Sequence, residues 1–379
     1  MFAKRFALLA FALILCVPKV YAQNEDFGLS CKAALLMDSA TGTVLYENNS
    51  HEKMPMASVT KIMTMLIAME NIDSGKMSYD DIVTGSAYAK SMGGSTIFLD
   101  EGEQLSVNDI LKGIAVASGN DAAVAMAEHI AGSAPAFVEM MNKRAAELGM
   151  KDTHFVNCNG LDADGHYSSA YDIALMSREL LKHPGIHKFT TIWMDSLRDG
   201  KFTLSNTNKL VRFYDGCTGL KTGSTSKAGF CISATAKRNN MHLIAVIMAA
   251  PTSKQRQADA SALLNYGFST YSVTDAVTKG EKIKDVSVNK GTAAKCPVVC
   301  ADNVSTLSKK GEKVEIKKIV KLKKNVTAPV SKGEKAGELI CMNGKKEVGR
   351  TELLYDGDVK KMTVFYAYGL IVDKWLGAY

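Results

Sequence analysis

The sequence predicts an α+β protein: an antiparallel sheet flanked by helices, with a helical subdomain, followed by a small all-β domain. Three observations lead there. Helical patterns stand near both ends of residues 23–272, with strand-like segments such as "GFCISATAKR" and "MHLIAVIMAA" between them. Near residue 272 the character changes to short alternating strands, many lysines and Lys-Gly or Asn-Gly turns. The length, 379 residues, exceeds one ordinary core and suits two domains.

The first 22 residues stand apart. Lys4 and Arg5 precede a continuous apolar run, Phe6 to Val17, which is short for a bilayer span. Val20-Tyr21-Ala22 then offers small residues at the two positions a signal peptidase reads. Residues 1–22 therefore read as a signal peptide, with an N-terminal anchor helix as the alternative. Leu15 stands before Cys16 where a lipoprotein signal wants a small residue. The mature chain is expected outside the cytoplasmic membrane.

Residues 32–48, "KAALLMDSATGTVLYEN", alternate like two strands around a Ser-Ala-Thr-Gly turn. A helix follows with Ser58 and Lys61 on one face and apolar residues (Ile62, Met63, Met65, Leu66, Ile67, Met69) almost all round, the pattern of a buried helix. Residues 107–131 and 169–182 read as helices. Asn239-Asn240 is a natural turn between the last two strands, and residues 255–267 close the first domain with a helix. Residues 273–362 form the β-rich domain. Its "KKIVKLKK" run fits either edge-strand lysines that block aggregation or an anionic surface, and the first is preferred. The tail, 363–379, "VFYAYGLIVDKWLGAY" with the threonine before it, can lie in a membrane interface or pack on the β domain.

Composition is that of a soluble globular protein, 46% hydrophobic and 22% charged. Removing Lys4, Arg5 and Lys19 lowers the formal charge from +7 to +4. That mild basicity suits a polyanionic wall or membrane surface, and no basic–aromatic clusters point to nucleic acid. Of the 8 cysteines, loss of Cys16 leaves an odd number, which argues against a disulfide framework. Cys296 and Cys300 in "CPVVC" would stand about 13 Å apart on a strand, too far for a disulfide. His183 and His187 have helical spacing, but Pro184 and Gly185 interrupt it and no third ligand is apparent. No metal and no other cofactor is expected.

Chemistry concentrates in three short motifs: Ser58-Val59-Thr60-Lys61, Ser118-Gly119-Asn120 and Lys221-Thr222-Gly223. A serine hydroxyl is a poor nucleophile until a neighbour takes its proton. Lys61 lies one turn from Ser58 on the same face. To act as a base it must come down from about 10.4 to near 7, a cost on the order of 4 kcal/mol. Burial can supply that, and a second cation, Lys221, would push the same way. The competing reading is a snorkelling surface lysine, although the helix offers no clear polar face. Ser118 and Asn120 would also cap a helix, and Lys221-Thr222-Gly223 would also suit an ordinary strand. A glycine in a strand often permits close backbone approach, here by a peptide whose carboxylate Lys221 and Thr222 can hold.

These three motifs in this order resemble the established set of penicillin-binding proteins and class A β-lactamases, in which the middle motif reads Ser-Asp-Asn. Together with "MASVTKIMT", "AVASGNDAAVAMAE", "NGLDADGHYSSAYDIALMSREL", "GLKTGSTSKAGFCISATAKR" and "ADASALLNYGF", the chain resembles the serine-type D-alanyl-D-alanine carboxypeptidases, the low-molecular-mass penicillin-binding proteins of the S11 peptidase family. The resemblance covers nearly the whole mature chain. It implies a β-lactamase/DD-peptidase-like fold. It implies Ser58 as the acyl-ester nucleophile, Lys61 as its proton acceptor, and Ser118 as the relay to the leaving amine. Asn120 would position the substrate backbone, and Lys221 and Thr222, with Gly223, would hold its carboxylate. The N–H groups of Ser58 and Ser224 would bind the oxyanion, and Arg256 would be a second carboxylate contact. The implied substrate is the peptidoglycan pentapeptide, with β-lactams as inhibitors and roles in wall maturation and cell shape. Three alternatives share or border on the chemistry: an endopeptidase or transpeptidase, a class A-like β-lactamase, and a non-catalytic wall-binding protein. The lactamase would need a glutamate in an E-x-x-L-N setting. Glu147 and Glu179 lack that setting.

Overall fold

The computed structural model describes residues 27–375. The expected signal peptide, 1–22, lies outside the described residues.

Two strands open the first domain, β1 (Ala33–Asp38) and β2 (Val44–Asn48), and helix α1 (Lys61–Asp73) follows. Then come α2 (Val107–Ala115), α3 (Asn120–Ala131), α4 (Ala134–Glu147) and α5 (Ala170–Leu180). Strands β3 (Cys217–Thr225), β4 (Gly229–Arg238) and β5 (Met241–Ala250) lead into α6 (Ser253–Thr270). The five strands form one antiparallel sheet in the order β2-β1-β5-β4-β3. β3 is therefore an edge, which matters below.

Period-two alternation explains why the inner strands read as nearly continuous apolar runs. In β5, Ile244, Val246 and Met248 join the core shared with the helices. Leu243, Ala245 and Ile247 point the other way, into a second core with α6. Both faces are covered, so both sets are apolar. Helix α1 is buried over Lys61 to Met69, as its all-round apolar surface requires. Side-chain caps start three of the others: Ser106 accepts from the Asp109 N–H, Ser169 from Asp172 and Thr252 from Gln255.

Two local expectations change. Residues 107–131 are two helices, not one, because Ser118 takes φ +63° and the following Gly119 caps a new helix. Ser58 is not on α1 itself but on a 3-10 turn, Ala57–Thr60, that runs into it.

The second domain has seven strands: β6 (Tyr271–Val277), β7 (Lys282–Ser287), β8 (Lys295–Cys300), β9 (Val304–Lys309), β10 (Ile316–Leu322), β11 (Lys335–Asn343) and β12 (Lys346–Tyr355). Five pair in the order β7-β8-β12-β11-β10, and β6 pairs with β9. The "KKIVKLKK" lysines begin on β10, an edge strand, where the lysine-rich edge was expected. Helix α7 (Val364–Trp375) ends the described chain. The seven described cysteines are free thiols, Cys296 and Cys300 among them.

Candidate active site

The sheet edge and the helices meet at the 3-10 turn. Along that turn Ala57, Val59 and Thr60 are buried, while Ser58 alone is partly open to solvent. Ala57 stands at φ +49°, an unfavourable conformation for a side chain with a Cβ. Strain of this kind persists where the surroundings over-determine it, and it clusters at active sites.

The surroundings here are two glycines. A Cβ built on Gly223 of β3 would stand 2.7 Å from Ser58 N, 2.8 Å from Met56 O and 2.9 Å from Val59 N. One built on Gly160 would stand 2.1 Å from Ala57 O and 2.8 Å from Ser58 N. Only glycine lets β3 on one side and the 157–161 loop on the other come this near the turn. Gly160 also has φ +88°, a second reason for glycine there.

Lys61 is fully buried at the first residue of α1. Its Nζ lies 3.0 Å from Ser58 Oγ, 2.5 Å from Asn120 Oδ1 and 2.6 Å from the Asn159 carbonyl. Burial pulls the ammonium down to about 7, against smaller upward pulls from Cys158 and Asp121. No water-facing exit exists for a snorkelling lysine, so that reading falls. The geometry also says how a neutral amine would sit. Its two hydrogens go to the two carbonyl oxygens, which are acceptors only, and its lone pair is left for the Ser58 hydroxyl.

Ser118 and Asn120 come from the break between α2 and α3. Asn120 is held at both ends: Oδ1 accepts from Lys61, and Nδ2 donates to Gly93 O at 2.7 Å. Its neighbour Asp121, also buried, accepts from the N–H groups of Ile97, Leu99 and Ala122. That carboxylate stitches residues 97–99 to the start of α3, where the helix dipole favours negative charge. Ser118 is buried on the same turn.

Lys221, Thr222 and Gly223 lie on β3, opposite Ser233, Ile232 and Cys231 of β4, and Ser224 follows, exposed. Thr222 Oγ1 donates to Thr207 Oγ1 at 2.7 Å, and Lys221 Nζ donates to Thr222 O at 2.9 Å. Burial pulls Lys221 well below its usual range, and the charges of Lys61 and Arg256 push the same way. The two ammoniums repel one another, so each disfavours the charged form of the other. For Lys61 burial is the leading cause, and a charged Lys221 would push the same way.

Arg256, near the start of α6, reaches the carbonyls of Gly223 and Cys231 at 3.5 and 3.4 Å and Ser253 Oγ at 3.2 Å. Its Nε has no partner, and burial pulls the guanidinium to about 10. It is a buried cation beneath the Gly223 peptide.

The structure therefore gathers Ser58, Lys61, Asn120 and Gly223 into direct or near-contact geometry, with Ser118, Lys221, Thr222, Ser224 and Arg256 on the adjoining segments. Asn159, Gly160 and Asp121 were not singled out from the sequence. Asn159 acts through a carbonyl, which has no side-chain signature. Gly160 left only an Asn-Gly pair, a turn signal.

Comparison with known proteins is consistent with this geometry. A family model described as D-alanyl-D-alanine carboxypeptidase matches residues 19–252, and one described as the penicillin-binding protein 5 C-terminal domain matches 271–361. The chain is 44% identical over 363 residues to D-alanyl-D-alanine carboxypeptidase DacF of Bacillus subtilis, covering 93% of each chain. Penicillin-binding protein 5 from Haemophilus influenzae superposes with a TM-score of 0.69 at 32% identity, over 88% of this chain and 98% of that one. Ampicillin-bound penicillin-binding protein D2 from Listeria monocytogenes gives 0.57 at 32% identity, over 64% of this chain and 100% of the other.

Proposed function

Because the chain belongs to the D-alanyl-D-alanine carboxypeptidase family, a family of serine-type peptidases, we propose that it removes the terminal D-alanine of peptidoglycan stem peptides through an acyl-enzyme on Ser58. The observation that carries the mechanism is the Lys61 amine, buried, near neutrality and 3.0 Å from Ser58 Oγ. The stem peptide lies along the open edge of β3 as an added strand. Lys221 and Thr222 face its terminal carboxylate, and Lys221 regains its proton there, since an adjacent anion favours the charged form. Arg256 supports that end from beneath as a buried cation.

Lys61 takes the Ser58 proton as Oγ bonds the carbonyl carbon of the penultimate residue. The oxygen that becomes negative is met by the N–H groups of Ser58 and Ser224. The C–N bond then breaks, and the departing amine takes a proton relayed through Ser118. Asn120, with Oδ1 and one Nδ2 hydrogen already committed, offers its other N–H to the substrate backbone. Water next attacks the ester and releases the shortened peptide. A β-lactam acylates the same oxygen and blocks it, in keeping with the ampicillin-bound relative.

The lactamase alternative is less well supported: Glu147 and Glu179 both pair with Arg144, at 3.2 and 3.0 Å, in a network away from Lys61. Purified wild type should release D-alanine from a diacyl-Lys-D-Ala-D-Ala substrate and hold a penicillin label for long periods. Ser58→Ala should lose both. Rapid multi-turnover penicillin hydrolysis, or no D-alanine release by wild type, would sink this reading.

The proposed substrate fits an enzyme working outside the cytoplasmic membrane, and a role in wall maturation and cell shape is part of the same proposal. The tail is proposed as a peripheral membrane contact. Among the described residues no helix is long and apolar enough to cross a membrane. Yet Val364, Phe365, Tyr368 and Trp375 of α7 are 83%, 89%, 68% and 90% exposed, an apolar surface that single soluble helices rarely leave bare. The 23–379 chain should sediment with vesicles containing phosphatidylglycerol, and a chain ending at 362 should stay in solution. Equal behaviour of the two would remove the tail from membrane contact.

A further inference from the structure

His166 is a buried imidazole that the reaction above does not use. It lies on the loop before α5, 5% exposed, and its two ring nitrogens are fully engaged. The Val156 N–H donates to Nδ1 at 3.0 Å. A backbone amide can only donate, so Nδ1 is the acceptor and the ring proton sits on Nε2. Nε2 stands 2.8 Å from Thr60 Oγ1, and there it must donate. Thr60 Oγ1, having accepted, is free to donate, and the Ala57 carbonyl lies 2.8 Å away. The directions of all three bonds are thus fixed by the first: Val156 N–H to His166, His166 to Thr60, Thr60 to Ala57 O.

The chain ends at a telling place. Ala57 O belongs to the peptide unit whose other end is the Ser58 N–H. The peptide is planar, so fixing its carbonyl fixes the direction of its N–H. Ala57 is also the strained residue at φ +49°, and its carbonyl occupies the space that a Cβ on Gly160 would need. Burial holds the imidazole down to about 4, with His154 adding to that and Asp162 opposing it. The ring is therefore neutral in neutral solution, as its acceptor role on Nδ1 requires.

We propose that His166 is a positioning residue for acylation: through Thr60 it fixes the plane of the Ala57–Ser58 peptide and so aims the Ser58 N–H at the developing oxyanion. The inference rests on the acyl-enzyme reading given above. Outright deletion of an oxyanion donor typically costs about 10²–10³ in rate, and loosening one should cost less, roughly tenfold.

Stopped-flow acylation by a fluorescent penicillin separates the noncovalent dissociation constant from the acylation rate constant. His166→Ala and Thr60→Val should each lower the rate constant about tenfold and leave the dissociation constant unchanged. The double variant should be no slower than either single, because both break one chain. His166→Gln can accept from Val156 and donate to Thr60, so it should return to within about threefold of wild type. A purely structural histidine would instead lower the melting temperature and the active fraction without changing the rate constant of the folded molecules. Wild-type rates in folded His166→Ala or Thr60→Val overturn the proposal, as do losses that multiply in the double variant. Should His166→Ala fail to fold, Thr60→Val, which keeps its volume, decides alone. Wild type that is not acylated at all sinks the underlying reading and this inference with it, whereas normal acylation of every variant sinks only this one.

Discussion

Lys61→Arg should abolish acylation of Ser58 while the protein still folds. Arginine keeps the positive charge but stays protonated in proteins, so nothing remains to take the Ser58 proton. General-base contributions run about 10²–10⁴-fold, and a loss in that range is expected for both D-alanine release and penicillin labelling. The fold should survive because the guanidinium still supplies donors to Asn120 Oδ1 and the Asn159 carbonyl, the two acceptors that Lys61 satisfies. Its extra bulk in a fully buried site should cost about 1–3 kcal/mol, visible as a lower melting temperature. Lys61→Met serves as the smaller control. It removes the base without overpacking, and it orphans the two acceptors at about 1–3 kcal/mol each. Wild type should also carry a pH signature. Only the neutral amine accepts a proton, and the ammonium titrates at about 7, so the acylation rate should climb through that pH and level off above it. Both variants should lack that rising limb in whatever residual rate they keep. Near-normal labelling of folded Lys61→Arg would return Lys61 to a structural role.

The parts of this site legible in the sequence are those that act through side chains at short spacing. Ser58 and Lys61 are three residues apart, and one helical turn places them together whatever the rest of the chain does. Ser118 and Asn120, and Lys221 through Gly223, are likewise local. Much else comes from distant backbone. The Asn159 carbonyl holds Lys61 from 98 residues away in sequence, with no side-chain type to announce it. The pairing of β1 with β5 joins Ala33 to Met248 and leaves β3 at the edge, and alternation alone sets neither partner nor order. The break at Ser118 was half legible: Ser118 and Asn120 suited a helix cap, but nothing local announced the φ of +63° that turns the chain there. His166 reads as one more histidine in a polar loop until Val156 and Thr60 are seen on either side of it. The depressed Lys61 titration was foreseeable from its apolar neighbours, which desolvate the ammonium.

Gly223→Ala should disable the site through a single added carbon. The three atoms that the new Cβ would meet, Ser58 N, Met56 O and Val59 N, lie within 2.9 Å and are all backbone. A flexible side chain could rotate away from such a contact; a 3-10 turn packed against a sheet edge cannot. Gly223 has no positive φ, so the penalty is one of space and not of backbone conformation. Either β3 must move outward or the turn must move in, and both carry reacting groups. Outward movement takes the Ser224 N–H and the Lys221–Thr222 carboxylate site away from Ser58. Inward movement disturbs the Ser58–Lys61 contact. A misplacement near 1 Å costs about 10²-fold, and that loss is expected in both D-alanine release and penicillin acylation. Overpacking should also lower stability by about 1–3 kcal/mol, so rates belong to the folded fraction measured by near-ultraviolet circular dichroism. A folded Gly223→Ala that labels at the wild-type rate would mean that the approach of β3 to the turn is not what assembles the site. The distinction reaches beyond one glycine, because the same approach leaves β3 without a partner strand on its outer edge, and the proposed substrate strand needs that edge open beside Ser58.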